Sequence, residues 1–394
     1  MSDAILVVNA GSSSIKAALY APGAGVPDCL GRCQFDGIGG SVRFKADDGF
    51  RSLAGLTGAA DPALTDHRSA CTFLIDALRS SGGVDLIGAG HRVVHGGVSF
   101  AEPVLVDDSV IDALADLIPL ARSHQPHNLA AIRVIAQSWP DLPQVACFDT
   151  AFHRTQSEVA QRLPVPDWLA DKGVRGYGFH GLSYQYIAGA LPAVAGERAR
   201  GRTIVAHLGN GASLCAMRDL QCVRTSMRFT PLEGLMMGTR PGRLDPGVVL
   251  YLIEEEGMDV AAASRFLNAE CGLRGVSGLT NDMRTLLESE SPKARLAVDL
   301  FVETAVMEIG GLVAALGGLD CLVFTGGIGE NAGEIRRRIS EGCGYLDAKV
   351  SEAANNAGEA IFSTDESGVL LVRLPTDEEG VIAAETGRLL VMTS

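Results

Sequence analysis

No C-x-x-C pair occurs among the nine cysteines of this 394-residue chain, and their number is odd. That excludes a simple disulfide framework and fits reduced, mostly buried thiols. No basic segment with an apolar core precedes Ala4, so a secretory signal is not expected and the cytoplasm is the expected location. Long apolar runs are missing too. The longest, such as "AVMEIGGLVAALGGL", carries a charge and glycines and is too short to span a bilayer. Positive charge is scarce: 33 Lys and Arg stand against 47 Asp and Glu, a formal net charge of −14. A nucleic acid or an anionic membrane needs a basic footprint, so neither is an expected partner. An acidic chain that handles anionic substrates must instead gather its few arginines into one cleft.

A further absence is more pointed. "VVNAGSSSIK", Val7 to Lys16, runs from strand-like residues into a cluster of small hydrogen-bonding ones, as a phosphate loop would. It lacks the G-x-x-x-x-G-K-[ST] pattern of the Walker loop. The following "IKAALY" alternates Ile15, Ala17 and Leu19, so the stretch reads as strand, polar turn, strand.

What the chain has in excess is glycine, 47 residues or roughly 12%, against about 7% on average. The glycines fall in short tracts without collagen periodicity, which marks loops where backbone must approach something closely. At this length two domains are expected. Residues 1–45 read as short strands, 69–81 as a helix capped by Ser69, and "DLIGAGHRVVHGG" as a strand entering a loop. "DDSVIDALADLIPLA" and "AAIRVIAQSW" read as helices, and "QVACFDT" as a strand. Near residue 203 the opening pattern returns as "TIVAHLGNGASLCAMRD", a weak internal repeat that suggests two related halves. Helices over "VVLYLIEEEG", "VAAASRFLNAE" and "KARLAVDLFVETAVMEIGGLVAAL" follow, then the strand "CLVFTGGIGEN" and a last helix near 377–391. Strands and helices alternate, so the fold class is α/β with sheets flanked by helices. Four glycine-rich turns, at Asn9–Ser14, His207–Ser213, Gly326–Asn331 and 237–242, suit a nucleotide site lined by backbone N–H groups.

The stretches "NAGSSSIK", "GHRVVHGG", "FDTAFH", "YGFHG", "HLGNGAS", "TPLEGLMMGTR", "NDMR", "TGGIGEN" and "PTDEE" stand in the order and spacing of the acetate kinase family, and the chain resembles it over nearly its whole length. The resemblance implies two related domains with actin-like (ribonuclease H-like) mixed sheets flanked by helices, and an active site in the interdomain cleft. It divides the chain into an acyl-substrate and phosphate domain, 1–150 completed by the C-terminal helix 380–394, and a nucleotide-binding and dimerisation domain, 151–380. It implies reversible phosphorylation of acetate by ATP to acetyl phosphate and ADP. Mg²⁺ is the implied cofactor, with Mn²⁺ admissible in its place, and a homodimer the implied assembly.

Phosphoryl transfer is mostly positioning and charge neutralisation, and arginine suits it because it is always charged and bidentate. On the matching positions, Arg92 is expected to bind the acetate carboxylate and Arg240 to meet the phosphoryl in flight, with His180 and His124 as further donors. Asp149 takes a family position for a proton donor or acceptor. Acetate has no proton to give at neutral pH, so orienting Arg240 or a water on Mg²⁺ is an alternative role. Asn9 and Glu378 match metal positions, although Glu378 could equally be an acid at a helix N-terminus. Lys16, Ser12 and Ser14 are expected at the nucleotide. His207, Leu208, Gly209, Asn210 and Gly211 would cradle phosphates. Asp282, Met283 and Arg284 would frame the adenosine together with Gly327, Ile328, Gly329, Glu330 and Asn331. Val94 and Pro231 match the wall of a methyl pocket. Arg122 and Ser123 depart from the family pattern, with Ser123 in place of a leucine, so propionate or another short-chain acid is the alternative substrate. Arg243 and Leu244 also depart from it and read as a surface difference.

Two other readings are open. His91, His95, His124, His127, Asp149 and His153 fall in three short clusters that could suggest a zinc hydrolase. "HRVVH" lacks the glutamate of H-E-x-x-H, and on a strand its two histidines would stand about 13 Å apart. A nucleotide-driven clamp without catalysis would keep the glycine turns but has no need of Arg92 or the Val94 and Pro231 wall.

Overall fold

The structure, a computed structural model, describes residues 2–11, 13–23, 25, 27–56 and 64–393. The chain divides into two compact units, residues 1–151 with 377–394, and residues 152–376.

Unit one is built on seven strands: β1 (Ser2–Ala10), β2 (Ser14–Tyr20), β3 (Cys29–Asp36), β4 (Arg43–Ala46), β5 (Val84–Val93), β6 (Val104–Leu105) and β7 (Gln144–Phe148). Their order is β4-β3-β2-β1-β5-β7-β6. β1, β2, β3 and β4 pair antiparallel in sequence, whereas β5 runs parallel to both β1 and β7. Alternation sends Ala4, Leu6 and Val8 of β1 to one face, where they pack with Cys71, Leu74 and Ile75 of helix His67–Ser81 and with Ile135 of helix Gln125–Ser138. The other face of β1, β5 and β7 carries the last helix, Glu378–Thr393. Its approach is close. A Cβ on Gly90 would lie 2.5 Å or less from Ile382 and Thr386, so only glycine fits there. Each side chain so buried contributes roughly 1.5–3 kcal/mol.

Unit two has five strands: β8 (Thr203–Leu208), β9 (Ala212–Arg218), β10 (Gln221–Thr225), β11 (Cys321–Thr325) and β12 (Leu370–Arg373), in the order β10-β9-β8-β11-β12. Here β8, β9 and β10 pair antiparallel, and β11 is parallel to β8 and β12. That repeats the β3-β2-β1-β5-β7 portion of the first sheet strand for strand. The repeat suggested by the two hairpins is therefore one of whole sheets. Tyr184, Ile187 and Leu191 of helix Gly181–Ala195 pack with Val205, Cys215 and Val323 of this sheet, while helix Pro292–Leu316 packs along β8, β9 and β10.

Some element ends differ from the sequence reading. Ser69 is not the cap of its helix. Asp66 is, its carboxylate accepting from Ser69 N, while the Ser69 hydroxyl accepts from the Asp66 N–H to close a capping box. "DDSVIDALADLIPLA" stays α-helical only to Asp116, because Pro119 just ahead disfavours continuing the helix. "AAIRVIAQSW" belongs to a helix that starts earlier, at Gln125, with Pro126 in its first turn. "GGIGEN" is a six-residue helix rather than a turn. Arg243 and Leu244 are surface residues as read, the Arg243 side chain 78% exposed. Among the described residues no helix is long and apolar enough to cross a membrane.

Candidate functional site

In unit one the C-terminal ends of three adjacent parallel strands supply a polar cluster, where α/β sheets generally hold ligands. Asn9 lies near the end of β1, Arg92 near the end of β5, and Asp149 directly after β7. The fourth member, Glu378, opens the last helix and so comes from the far end of the chain.

Arg92 Nε donates to Asp149 Oδ1 at 3.0 Å and Nη2 donates to Asp149 Oδ2 at 2.6 Å, a fork on a carboxylate. Its Nη1 donates to Asn9 Oδ1 at 3.3 Å, and Glu378 Oε2 stands 4.0 Å from Nε. The Asp149 side chain is 1% exposed, those of Arg92 and Glu378 21% and 16%. Burial works against the charge of Arg92, but Asp149 and Glu378 outweigh it, and the guanidinium is held firmly protonated. Burial also pushes the Glu378 carboxyl up to about 7, with Asp149 and Glu379 adding to the rise while Arg92 and Lys16 oppose it.

This cluster has more negative than positive charge: Arg92 is shared between two carboxylates, and Glu379 lies close by. Its donors are oxygens of Asn9, Asp149 and Glu378. A small hard cation fits such a set, since Mg²⁺ takes one or two protein oxygens and keeps several waters. The structure pairs Asp149 with Arg92, and the Arg240 guanidinium is engaged elsewhere.

The remaining residues expected in unit one are dispersed around this cluster. Lys16 projects from β2 opposite Asn9 in the register and lines an open groove of about 390 Å³ with Glu379. Ser14 begins β2, and its carbonyl accepts from Gly11 N at 2.8 Å. Ser12 lies outside the described residues. Val94 is buried, and its N–H donates to Asn128 Oδ1 at 3.0 Å. The Ser123 hydroxyl lies 2.9 Å from His124 Nδ1, at the start of helix Gln125–Ser138. His91 and His95 are buried in or just after β5, with His91 Nε2 against the Gln144 side-chain amide at 2.7 Å.

Unit two carries a second cluster around the turn between β8 and β9. His180 sits in left-handed backbone (φ 58°) at the start of helix Gly181–Ala195. Its Nδ1 is 2.9 Å from Ser213 Oγ, and its ring stacks on His207 at 4.3 Å. His207 Nδ1 is in turn 2.8 Å from Ser183 Oγ. Arg240 reaches the same turn: a Cβ built on Gly211 would lie 2.7 Å from Arg240 Nη2 and 3.2 Å from His180 Nε2. The missing side chain of Gly211 thus lets two nitrogen groups converge. Arg240 Nη1 donates to Pro231 O at 2.7 Å, which binds Pro231 to the guanidinium through its carbonyl.

Beside this turn lies a cleft of about 420 Å³. Eight expected nucleotide residues line it: Gly209, Asn210, Asp282, Met283, Arg284, Gly327, Ile328 and Asn331. Leu208 is fully buried in β8. Gly329 is buried under Arg336, from whose Nη1 its carbonyl accepts at 3.0 Å. Glu330 turns inward, where Oε1 accepts from Gly326 N at 2.9 Å and caps its own helix. Gly329 and Glu330 are therefore support for the cleft rather than its lining. Sequence reasoning missed Asn281, whose Nδ2 donates to Asn210 Oδ1 at 2.8 Å from within "NDMR" itself. It also missed Ser183 and Ser213, the hydroxyls that hold the two stacked histidines.

The metal-ligating side chains do not gather as a zinc hydrolase would need. Among the described residues one group of three could hold such an ion, and of the six residues in those clusters it contains His153 alone.

The profile of the acetokinase family matches residues 4–384. An acetate kinase of Nitrobacter hamburgensis is 47% identical over 390 residues, 99% of this chain and 96% of that one. An acetate kinase of Rhodopseudomonas palustris is 49% identical over 397 residues, covering 99% of both. Among solved structures, a propionate kinase from Francisella tularensis superposes with a TM-score of 0.91 at 33% identity, over 98% of this chain and all of that one. The Porphyromonas gingivalis acetate kinase gives 0.84 at 33% identity, over 99% and 100%.

Proposed function

Because the chain belongs to the acetokinase family, phosphotransferases with a carboxyl acceptor, we propose that it phosphorylates acetate reversibly with MgATP by direct in-line transfer. The observation that carries this reading is the fork of Arg92 on Asp149 beside Asn9 and Glu378. A guanidinium fixed on one edge keeps its remaining N–H groups in a set direction, which suits the capture of a small carboxylate.

Acetate is already ionised at neutral pH, so no base is needed. Asp149 serves by fixing Arg92. Asn9 and Glu378 would hold Mg²⁺, which when bound neutralises phosphate charge. Arg240 and His180, converging over Gly211, act on the equatorial oxygens of the phosphoryl group, and one such donor is typically worth about 2.7–4 kcal/mol in the transition state. His124 is a further donor on the acyl side. The adenosine lies in the cleft framed by Asp282, Met283 and Arg284, and the phosphates run along Gly209 to Gly211. Val94 and Pro231 wall the methyl group.

The same reading includes a homodimer in the cytoplasm. Nine unpaired cysteines support the reducing compartment, and the exposed Leu250 and Tyr251 on helix Pro246–Glu254 support a protein partner. Propionate is the second reading, favoured by exposed Ser123 and by the Francisella structure. A panel of acetate, propionate and butyrate with MgATP, read as acyl phosphate and ADP, tests both. Acetate should give the highest kcat/KM. A preference for propionate selects the second reading, and no acyl phosphate from any acid overturns both.

A further inference from the structure

Three side chains of unit two that take no part in either cluster meet inside its core. Cys215 comes from β9, Cys222 from β10, and His153 from the short turn Ala151–Thr155. His153 Nδ1 and the two Sγ atoms all lie within 4.8 Å of one another, and all three residues are at most 1% exposed.

The histidine is oriented as a ligand. Its Nε2 lies 2.9 Å from the Phe179 carbonyl. A carbonyl only accepts, so Nε2 carries the proton and Nδ1 turns its lone pair to Cys222 Sγ, 3.1 Å away. Metal-binding histidines are characteristically fixed this way, with the distal N–H given to a carbonyl or carboxylate. The ring is also held edge-on against Tyr184 at 5.6 Å, and Thr155 Oγ1 donates to the Cys222 carbonyl at 2.7 Å, tying the turn to β10.

We propose that His153, Cys215 and Cys222 form a site for one thiophilic cation of the Zn²⁺ and Cu⁺ class. Two sulfurs and an imidazole, without oxygen, select such ions over Mg²⁺. Bonds of about 2.3 Å to sulfur and about 2.1 Å to nitrogen, at a tetrahedral angle, set N and S about 3.6 Å apart. Binding therefore needs the Nδ1–Sγ pair to open by about half an ångström. Both sulfurs bind as thiolates, so loading releases to solvent whatever thiol protons remain, that of Cys215 at least, and changes no oxidation state. The ion clamps the Ala151–Thr155 turn to the edge of the sheet, one hydrogen bond from the backbone that leads into His180.

The test uses the reduced full-length protein, incubated anaerobically with Zn²⁺ or with Cu⁺ against a competing chelator, and measures metal per chain by mass spectrometry. The expected result is one equivalent of at least one of the two ions, with proton release and a higher Tm. Cys222→Ser and His153→Gln should each weaken binding at least tenfold. Should a variant fail to fold, Co²⁺ loading of the unaltered protein provides the readout, a thiolate-to-metal charge-transfer band. Substoichiometric binding of both ions, undiminished binding by Cys222→Ser, absence of that band, or formation of a Cys215–Cys222 disulfide instead of a complex each overturns the proposal.

Discussion

Replacing Asp149 by Asn keeps the shape of the side chain and removes its charge, which makes it the sharpest test of what holds Arg92. Arg92 now gives Asp149 Nε at 3.0 Å and Nη2 at 2.6 Å. An amide offers one acceptor oxygen and sets an NH₂ donor against a guanidinium donor, so the bond to Oδ1 is lost and only an oxygen in the Oδ2 place, 3.2 Å from Nε and 2.6 Å from Nη2, is kept. Removing one partner of a buried pair costs about 3–5 kcal/mol. Because the Arg92 side chain keeps 21% exposure, water recovers some of this and the lower end, about 3 kcal/mol, is expected. At about 2–4 °C per kcal/mol for a unit of this size, the Tm should fall by roughly 6–12 °C.

The kinetic signature separates two roles. If Asp149 positions Arg92, the acetate KM should rise by an order of magnitude or more, and the pH–rate profile should keep its shape. A cycle with Arg92→Ala should be strongly non-additive, by about 0.5–3 kcal/mol. Proton transfer by Asp149 predicts the reverse, a kcat collapse at unchanged acetate KM with one limb of the profile lost. That second pattern would refute the positioning argument.

Gly211→Ala places a methyl 2.7 Å from Arg240 Nη2 and 3.2 Å from His180 Nε2, so kcat should fall by about 10²-fold with little change in Tm; a kcat within twofold of the parent would contradict convergence over Gly211. Burial lowers the His91 pKa to about 4. Between about 6.5 and 4 the unfolded chain binds a proton that the native one refuses, so stability is full above that window and falls by up to about 3 kcal/mol as pH drops through it. Urea unfolding across the window should show His91→Leu losing that share of the slope, and an unchanged slope counts against it. Ser123→Leu should narrow the acid range towards acetate by about tenfold, since one methylene is worth about 1–3 kcal/mol; an unaltered acid profile removes Ser123 from the pocket.

Local signals in the sequence were strong where the physics is local. Alternating Ile15, Ala17 and Leu19 places β2, and the polar turn before it closes the hairpin as read. The second hairpin at Thr203–Arg218 follows the same logic. Strand order is different, because it is set by pairings across many residues. That β5 lies between β1 and β7 brings Arg92 to Asp149, a contact 57 residues apart that no spacing rule announces. The direction of Glu330 was not legible either: a bond to its own helix start turns the carboxylate inward. Glu378 heads a helix, as one reading had it, and its place beside Arg92 comes from the far end of the chain. His153 stands 69 residues from Cys222 in the sequence, and the β9–β10 pairing brings Cys215 beside that contact.

The last helix, Glu378–Thr393, is the cover of a sheet whose strands were all made in the first 148 residues. During synthesis the N-terminal unit must therefore wait, with the apolar side of β1, β5 and β7 bare, until residues 378–393 have been made. Nascent chains would keep that surface available to chaperones or to one another for the whole interval. Termination between residues 150 and 377 then yields a unit that is both uncovered and without Glu378, the carboxylate beside Arg92.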